Sequence, residues 1–103
     1  MTMVIFVTIP QKEAKPFAKI LLKARSCACV NILRDVDSLF WWQGKIDSGK
    51  EALLIIKTKQ SAYHRLKKVI KLNHPYSVPE IIALKVDRID NEYQKWLEKE
   101  VHD

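Results

Sequence analysis

Glycine is scarce: Gly44 and Gly49 are the only two in 103 residues. There is no Gly-rich phosphate loop, no nucleophile elbow and no paired-histidine zinc motif, so hydrolase chemistry has no support. Cysteine is equally sparse. Cys27 and Cys29 are separated by one residue, too close to bridge each other readily, so no disulfide framework follows and a reducing compartment is expected. No apolar run approaches the roughly 20 residues needed to cross a bilayer. The amino-terminal MTMVIFVTIP has no cationic lead for a secretory signal. These absences together predict a soluble cytoplasmic protein with no membrane partner.

What is present suits one packed core. A 48% hydrophobic content over 103 residues supports a single domain spanning 1–103. The formal net charge is +6, which attracts nucleic acid or anionic surfaces in principle. Its lysines are spread along helical patterns, Lys12, Lys15, Lys19 and Lys23 on one and Lys67, Lys68 and Lys71 on another, and read as solvated helix faces.

The organising stretch is Ala28 to Ile46 with the apolar run Leu53 to Thr58. Ala28, Val30 and Ile32 alternate with Cys29, Asn31 and Leu33, and the aromatic block Leu39 to Trp42 continues the strand pattern. At about 3.3 Å per residue, Ala28 to Gly44 extends roughly 55 Å, against a radius of gyration of about 13 Å for a domain of this length. The hairpin must bend sharply or project. If it projects, Phe40, Trp41 and Trp42 lie where their own chain hardly covers them, and another copy of the chain is the simplest cover.

Around that hairpin, Met3 to Ile9 reads as a buried strand ended by Pro10. Ala14, Phe17, Ala18 and Leu21 mark a helix to about Arg25, with Pro16 in its first turn. The hairpin turn is placed at Asp47 to Gly49. Ser61 is expected to cap a second helix with Ala62, Leu66, Val69 and Ile70 on its apolar stripe. Asn73 to Pro79 is a stiff two-proline loop, Glu80 to Val86 a strand, and Asp90 or Asn91 caps a last helix bearing Tyr93, Trp96, Leu97 and Val101. The order βαββαβ plus a carboxy-terminal helix predicts an α+β, ferredoxin-like fold with a four-stranded antiparallel sheet and a long β2-β3 hairpin.

Four blocks then carry a family resemblance: Ala28-Cys29-Val30-Asn31-Ile32, Ser38-Leu39-Phe40-Trp41-Trp42-Gln43-Gly44-Lys45-Ile46, Leu54-Ile55-Ile56-Lys57-Thr58 and His74-Pro75-Tyr76-Ser77-Val78-Pro79-Glu80-Ile81-Ile82-Ala83. In order and spacing they resemble the CutA family, the divalent-cation tolerance proteins. The resemblance implies a non-enzymatic, PII-like homotrimer in which the hairpin packs on neighbouring subunits, with copper or another divalent metal ion as ligand. Arg34-Asp35 stands where a Pro-Gly pair is common, which calls into question the tight bulge that usually breaks the long strand. Phe40 replaces a frequent tyrosine, Ser77 an acidic residue and Lys85 a proline.

Copper(II) accepts imidazole and carboxylate, and copper(I) prefers sulfur, so His74, Glu80 and Cys29 are the metal candidates. Each also has an ordinary structural reading: His74 and Glu80 bonded to their own loop, and Cys29 as a small hydrophobe. Phe40, Trp41 and Trp42 are assigned to the trimer interface. A second reading, by analogy with PII-like trimers, is a sensor whose clefts between subunits hold a small anion or a protein partner, with Lys45, Lys57, Thr58 and Tyr76 as lining candidates. A third is an RNA-recognition module, since that fold shares the βαββαβ order and Ile5-Phe6-Val7 resembles its shorter RNA-contact motif. Ala52 to Thr58 lacks the aromatics that stack bases there, which argues against nucleic acid.

Overall fold

The computed structural model describes all 103 residues. Its elements are β1 (Thr2–Pro10), α1 (Ala14–Lys23), β2 (Cys29–Trp42), β3 (Lys45–Lys59), α2 (Tyr63–Asn73), β4 (Ile82–Lys85) and α3 (Asn91–Glu100). The sheet order is β2-β3-β1-β4 and every neighbouring pair is antiparallel. This is the expected ferredoxin-like arrangement with an added carboxy-terminal helix.

Strand alternation decides which face is packed. Ile5, Val7 and Ile9 of β1 and Ala52, Leu54 and Ile56 of β3 point to one face and are fully buried. There they meet Phe17 and Leu21 of α1 and Leu66 and Ile70 of α2 in one cluster. Truncating a residue so enclosed, such as Leu54→Ala, costs about 2–5 kcal/mol. The opposite face carries Val4 and Phe6 of β1, Leu53 and Ile55 of β3, and Ile82 and Leu84 of β4. These remain half-buried or exposed because no helix covers most of that side. Only α3 reaches it, at one end, held by Leu97 and Val101 against Ala62.

Helix ends follow local chemistry. Pro16 is the third residue of α1, where the backbone has no intrahelical N–H bond to lose. α1 stops in a Schellman arrangement: Arg25, at φ 55°, donates from its N–H to Leu22 O, and Ser26 N–H donates to Leu21 O. The Ser26 hydroxyl adds a second bond to Leu21 O at 2.8 Å. Asp90 caps α3 as expected, accepting from Tyr93 N–H. Ser61 does not cap α2. The residue at that position is Ala62, and the Ser61 hydroxyl donates instead to Asp103.

The hairpin projects. β2 has 14 residues, about 46 Å at strand rise, and the molecule is 45 × 25 × 21 Å. Its turn lies at Gln43-Gly44, with both φ values positive (50° and 78°), and not at Asp47 to Gly49, which belong to β3. Two consecutive residues at positive φ form the tight turn whose twist matches that of paired strands. A bulge does interrupt β2 between Leu33 and Val36, with Asp35 at φ 59°. Arg34-Asp35 therefore provides the break without proline or glycine, aspartate being one of the few residues that tolerate this conformation. Beyond the bulge neither strand has a third layer, and Leu39, Trp41, Trp42 and Ile46 are exposed by 73%, 73%, 55% and 64%.

Candidate functional site

Two groups of polar side chains lie away from the helix-covered core. The first is on the open sheet face. Strand register sets Cys29 opposite Lys57, with Asn31 two residues along the same face. The Lys57 ammonium donates to Asn31 Oδ1 and stands 4.0 Å from Cys29 Sγ, while Cys29 Sγ is 3.8 Å from Asn31 Oδ1. α3 brings Tyr93 to the same thiol: burial first, then the charge and hydrogen bond of Cys29, raises its phenol above the ordinary range. Cys27, two residues back, precedes the strand and is buried in the core on the opposite side of the sheet. Burial, with the neighbouring Cys29 second, pushes that thiol up to about 12. The two sulfurs do not form a chelating pair.

The second group surrounds the loop after α2. His74 is 8% exposed and both ring nitrogens are engaged: Nδ1 accepts from Tyr76 N–H at 3.1 Å, which leaves Nε2–H to donate to Thr8 O at 2.8 Å. Its ring also meets Phe17 edge-on and Tyr76 at a tilt. The expectation that His74 ligates a metal is not met by this geometry, because no ring lone pair is free; it pins the loop to β1. Tyr76 in turn donates its hydroxyl to Glu51 Oε2 at 2.7 Å. Desolvation, followed by the hydrogen bond and negative charge of Glu51, pushes the Tyr76 phenol up to about 12. Glu80 sits close enough that partial burial, and then repulsion by Glu51, holds its carboxyl above the ordinary range.

The sequence candidates are thus divided. Cys29 lies in register with Lys57, whereas His74 is bound to Thr8, which pairs with Leu53 further along the sheet. No group of three or more His, Cys, Asp and Glu side chains in one chain is arranged to hold a metal ion. Of the three candidate donors, Glu80 and Cys29 are the more exposed, and His74 is buried. Lys45 stands at the exposed hairpin tip beside the turn, and Lys57 on the open face. Thr58 lines no cleft: it is fully buried and its hydroxyl donates to Ser26 O at 2.8 Å. Tyr76 faces carboxylates, a poor setting for an anion. Phe40, Trp41 and Trp42 are all exposed on the projecting arm.

Two participants escaped sequence reasoning. Glu51 is 7% exposed and anchors Tyr76, yet in the sequence it is one more charge before an apolar strand. Asn31 falls within a noted block, and its amide binds Lys57 only because antiparallel register brings the two together. Its place on the same strand face as Cys29 was the available signal.

A family description, CutA1 divalent ion tolerance protein, matches residues 3–100. The divalent-cation tolerance protein CutA of Thermus thermophilus is 42% identical over 95 residues, covering 91% of this chain and 92% of that one. The chloroplastic protein CutA 1 of Oryza sativa is 42% identical over 97 residues, or 93% of this chain, which spans only 55% of the rice protein. The solved structure of the Thermus thermophilus divalent cation tolerance protein superposes with a TM-score of 0.95 at 40% identity, covering 99% and 100% of the two chains. With a family match over residues 3–100 and these near-full-length likenesses in sequence and structure, this chain belongs to the CutA1 divalent ion tolerance protein family, a family of tolerance proteins and not of enzymes.

Proposed function

We propose that the chain works as a homotrimer that binds divalent metal, copper among the candidates, with donors contributed by more than one subunit. The observation that carries this reading is the uncovered arm. Leu39, Trp41, Trp42 and Ile46 are exposed on a ribbon with no third layer, continuous with the open face of Phe6, Leu53 and Ile55. Apolar surface of that extent on a two-stranded arm is stabilised by burial against another chain. The metal reading rests on the same assembly, since one chain lacks a three-donor group whereas threefold repetition of Glu80 or Cys29 supplies one. His74 supports such a site from behind by holding the loop that leads to Glu80. Two free thiols, Cys27 and Cys29, favour a reducing, cytoplasmic setting.

Light scattering tests the assembly: a mass near three times the 12.0 kDa chain is expected, and a single-chain species at micromolar concentration overturns it. Copper titration by calorimetry tests the metal. Glu80→Gln or Cys29→Ser weakens saturable binding, and unchanged affinity in both variants removes them from the site. The small-anion reading keeps only Lys57 and Lys45 of its lining residues. A thermal-shift screen separates it, because a bound ligand raises the midpoint: a response to anionic metabolites and none to metals would favour it.

A further inference from the structure

Folding sorts the charges that the sequence spreads out. The helical layer, residues 11–25 and 60–73, holds nine lysines and arginines against one carboxylate, Glu13, for a net +8. The remainder holds nine against eleven, a net −2. Two of the nine are committed within the fold: Arg25 pairs with Glu100 at 3.1 Å, and Arg65 donates to Ala24 O and Arg25 O. Lys15, Lys19 and Lys23 of α1 and Lys67, Lys68 and Lys71 of α2 have no carboxylate within 4.0 Å, whereas Lys50 and Lys59 on the sheet each have one.

The placement is as one-sided as the count. α1 turns Phe17 and Leu21 inward and α2 turns Leu66 and Ile70 inward. That leaves Lys15, Lys19 and Lys23 on the outer side of α1, about 6 Å apart along the axis. α2 touches α1 on the same face of the sheet and adds its own row. This layer lies across the sheet from the open face, so it stays outward when chains associate through that face.

We propose that this lysine layer binds the phosphodiester backbone of a nucleic-acid duplex without reading its sequence. Unpaired ammonium groups on two packed helices neutralise phosphates, and phosphate contacts position a protein without specifying bases. Phe17 and Tyr63 pack against the core, and the one exposed ring of the layer, His64, lies tilted against Tyr63, so the layer lacks the succession of exposed aromatics on which single-stranded bases stack. Ile20, Leu22 and Leu72 are exposed apolar residues of these helices, but Ile20 and Leu22 fall on opposite flanks of α1 and Leu72 stands alone on α2, so neither helix presents a continuous apolar face to a bilayer.

Fluorescence anisotropy with a labelled duplex of about 30 base pairs tests this on the full chain. Binding should be independent of sequence, and log affinity should fall with log salt at a slope of about −3.6 to −5.4, the release expected for four to six phosphate contacts. Replacing Lys19, Lys23, Lys68 and Lys71 by glutamate should weaken binding at least tenfold, and by glutamine to a smaller but clear extent. A control with Lys45, Lys85, Lys95 and Lys99 replaced by glutamate carries the same net charge and should retain affinity within about threefold, since those lysines lie outside the layer. Circular dichroism and light scattering confirm that each variant is folded and assembled. The proposal is overturned if the unmodified chain shows no salt-dependent duplex binding, if the control loses as much as the helix variant, or if phosphatidylserine vesicles bind and the duplex does not.

Discussion

The carboxamide of Gln11 holds the backbone of Asp35. Its Oε1 accepts from Asp35 N–H at 2.6 Å, and its Nε2 reaches Asp35 Oδ1 at 3.4 Å. Asp35 is the left-handed residue of the β2 bulge, and Gln11 follows the last residue of β1. This contact therefore marks where the strand leaves the core and becomes a free arm. β1 ends opposite Glu51, and β2 resumes pairing after the bulge opposite the same residue.

Gln11→Ala should lower stability by about 1 kcal/mol, the usual worth of such a bond. Asp35→Gly keeps the N–H that Gln11 binds and removes the cost of a Cβ at φ 59°. It should leave stability unchanged or raise it by up to about 1 kcal/mol. Urea midpoints at fixed chain concentration distinguish the two, and an unchanged midpoint in Gln11→Ala would mean that the bulge does not depend on this brace.

The turn makes a second contrast. Gly44 and Gly49 both have open space, with nothing within 4 Å of an added Cβ, but only Gly44 has a positive φ. Gly44→Ala should cost about 1 kcal/mol of purely conformational origin. Gly49→Ala, in extended backbone, should be neutral or slightly stabilising. Thermal midpoints of the two variants, compared at one concentration, check the sign of each.

The core strands are legible because Met3 to Ile9 and Leu53 to Ile56 are apolar runs; which face the helices cover is not, since Val4, Phe6, Leu53 and Ile55 are as apolar as the buried Ile5, Val7, Leu54 and Ile56. The aromatic arm was legible by length alone. Composition points to a turn at Asp47-Ser48-Gly49, whereas the chain reverses at Gln43-Gly44, between the aromatic block and Ile46; backbone sign, not composition, decides. Thr58 looked like a polar end to an apolar strand. Its hydroxyl points inward because the strand period is two and Leu54 and Ile56 already face the core. The contact of Tyr76 with Glu51 joins a loop to a strand 25 residues away, and no local pattern encodes that distance. The division of charge into +8 and −2 likewise emerges only when α1 and α2 come to lie side by side.

Tyr76 should tie stability to alkaline pH. Its phenol is raised from the ordinary 10.0 to about 12 in the folded chain, so the native state holds its proton after the unfolded chain has released it. The contribution is complete below pH 10 and lost as pH rises toward 12. Tyr76→Phe should flatten that decline, and it should cost about 1–3 kcal/mol at neutral pH by leaving the buried Glu51 carboxylate without its donor. Ultraviolet absorbance of tyrosinate, followed with unfolding curves, reads both effects.

Glu80 provides the acid counterpart. Its carboxyl is raised by partial burial and then by Glu51, so the folded chain favours the protonated form and loses stability as pH climbs through the raised value. Glu80→Gln should therefore stabilise the metal-free protein at neutral pH by a small, solvent-screened amount, on the order of a few tenths of a kcal/mol. The gain should vanish in acid, below the ordinary carboxylate range, where both chains are neutral at this position. The same variant should lose the metal-dependent rise in thermal midpoint if Glu80 is a donor. A variant that is more stable without metal and less responsive to it separates a ligand from a structural residue, for which the two effects would share a sign.

Thr58→Val tests the assignment of that residue to the interior. The Thr58 hydroxyl donates to Ser26 O, and the Ser26 hydroxyl donates to Leu21 O, both at 2.8 Å. Together they join β3 to the end of α1. Valine keeps the shape and removes the donor, leaving a buried carbonyl unsatisfied at a cost of about 1–3 kcal/mol. Metal and anion titrations should be unaffected, because no part of Thr58 is exposed. Lys57, one residue earlier and on the opposite face, should behave in the reverse manner: Lys57→Met should change stability little and alter whatever binds beside Cys29. An unchanged unfolding midpoint in Thr58→Val, with altered ligand titrations, would return the hydroxyl to the cleft.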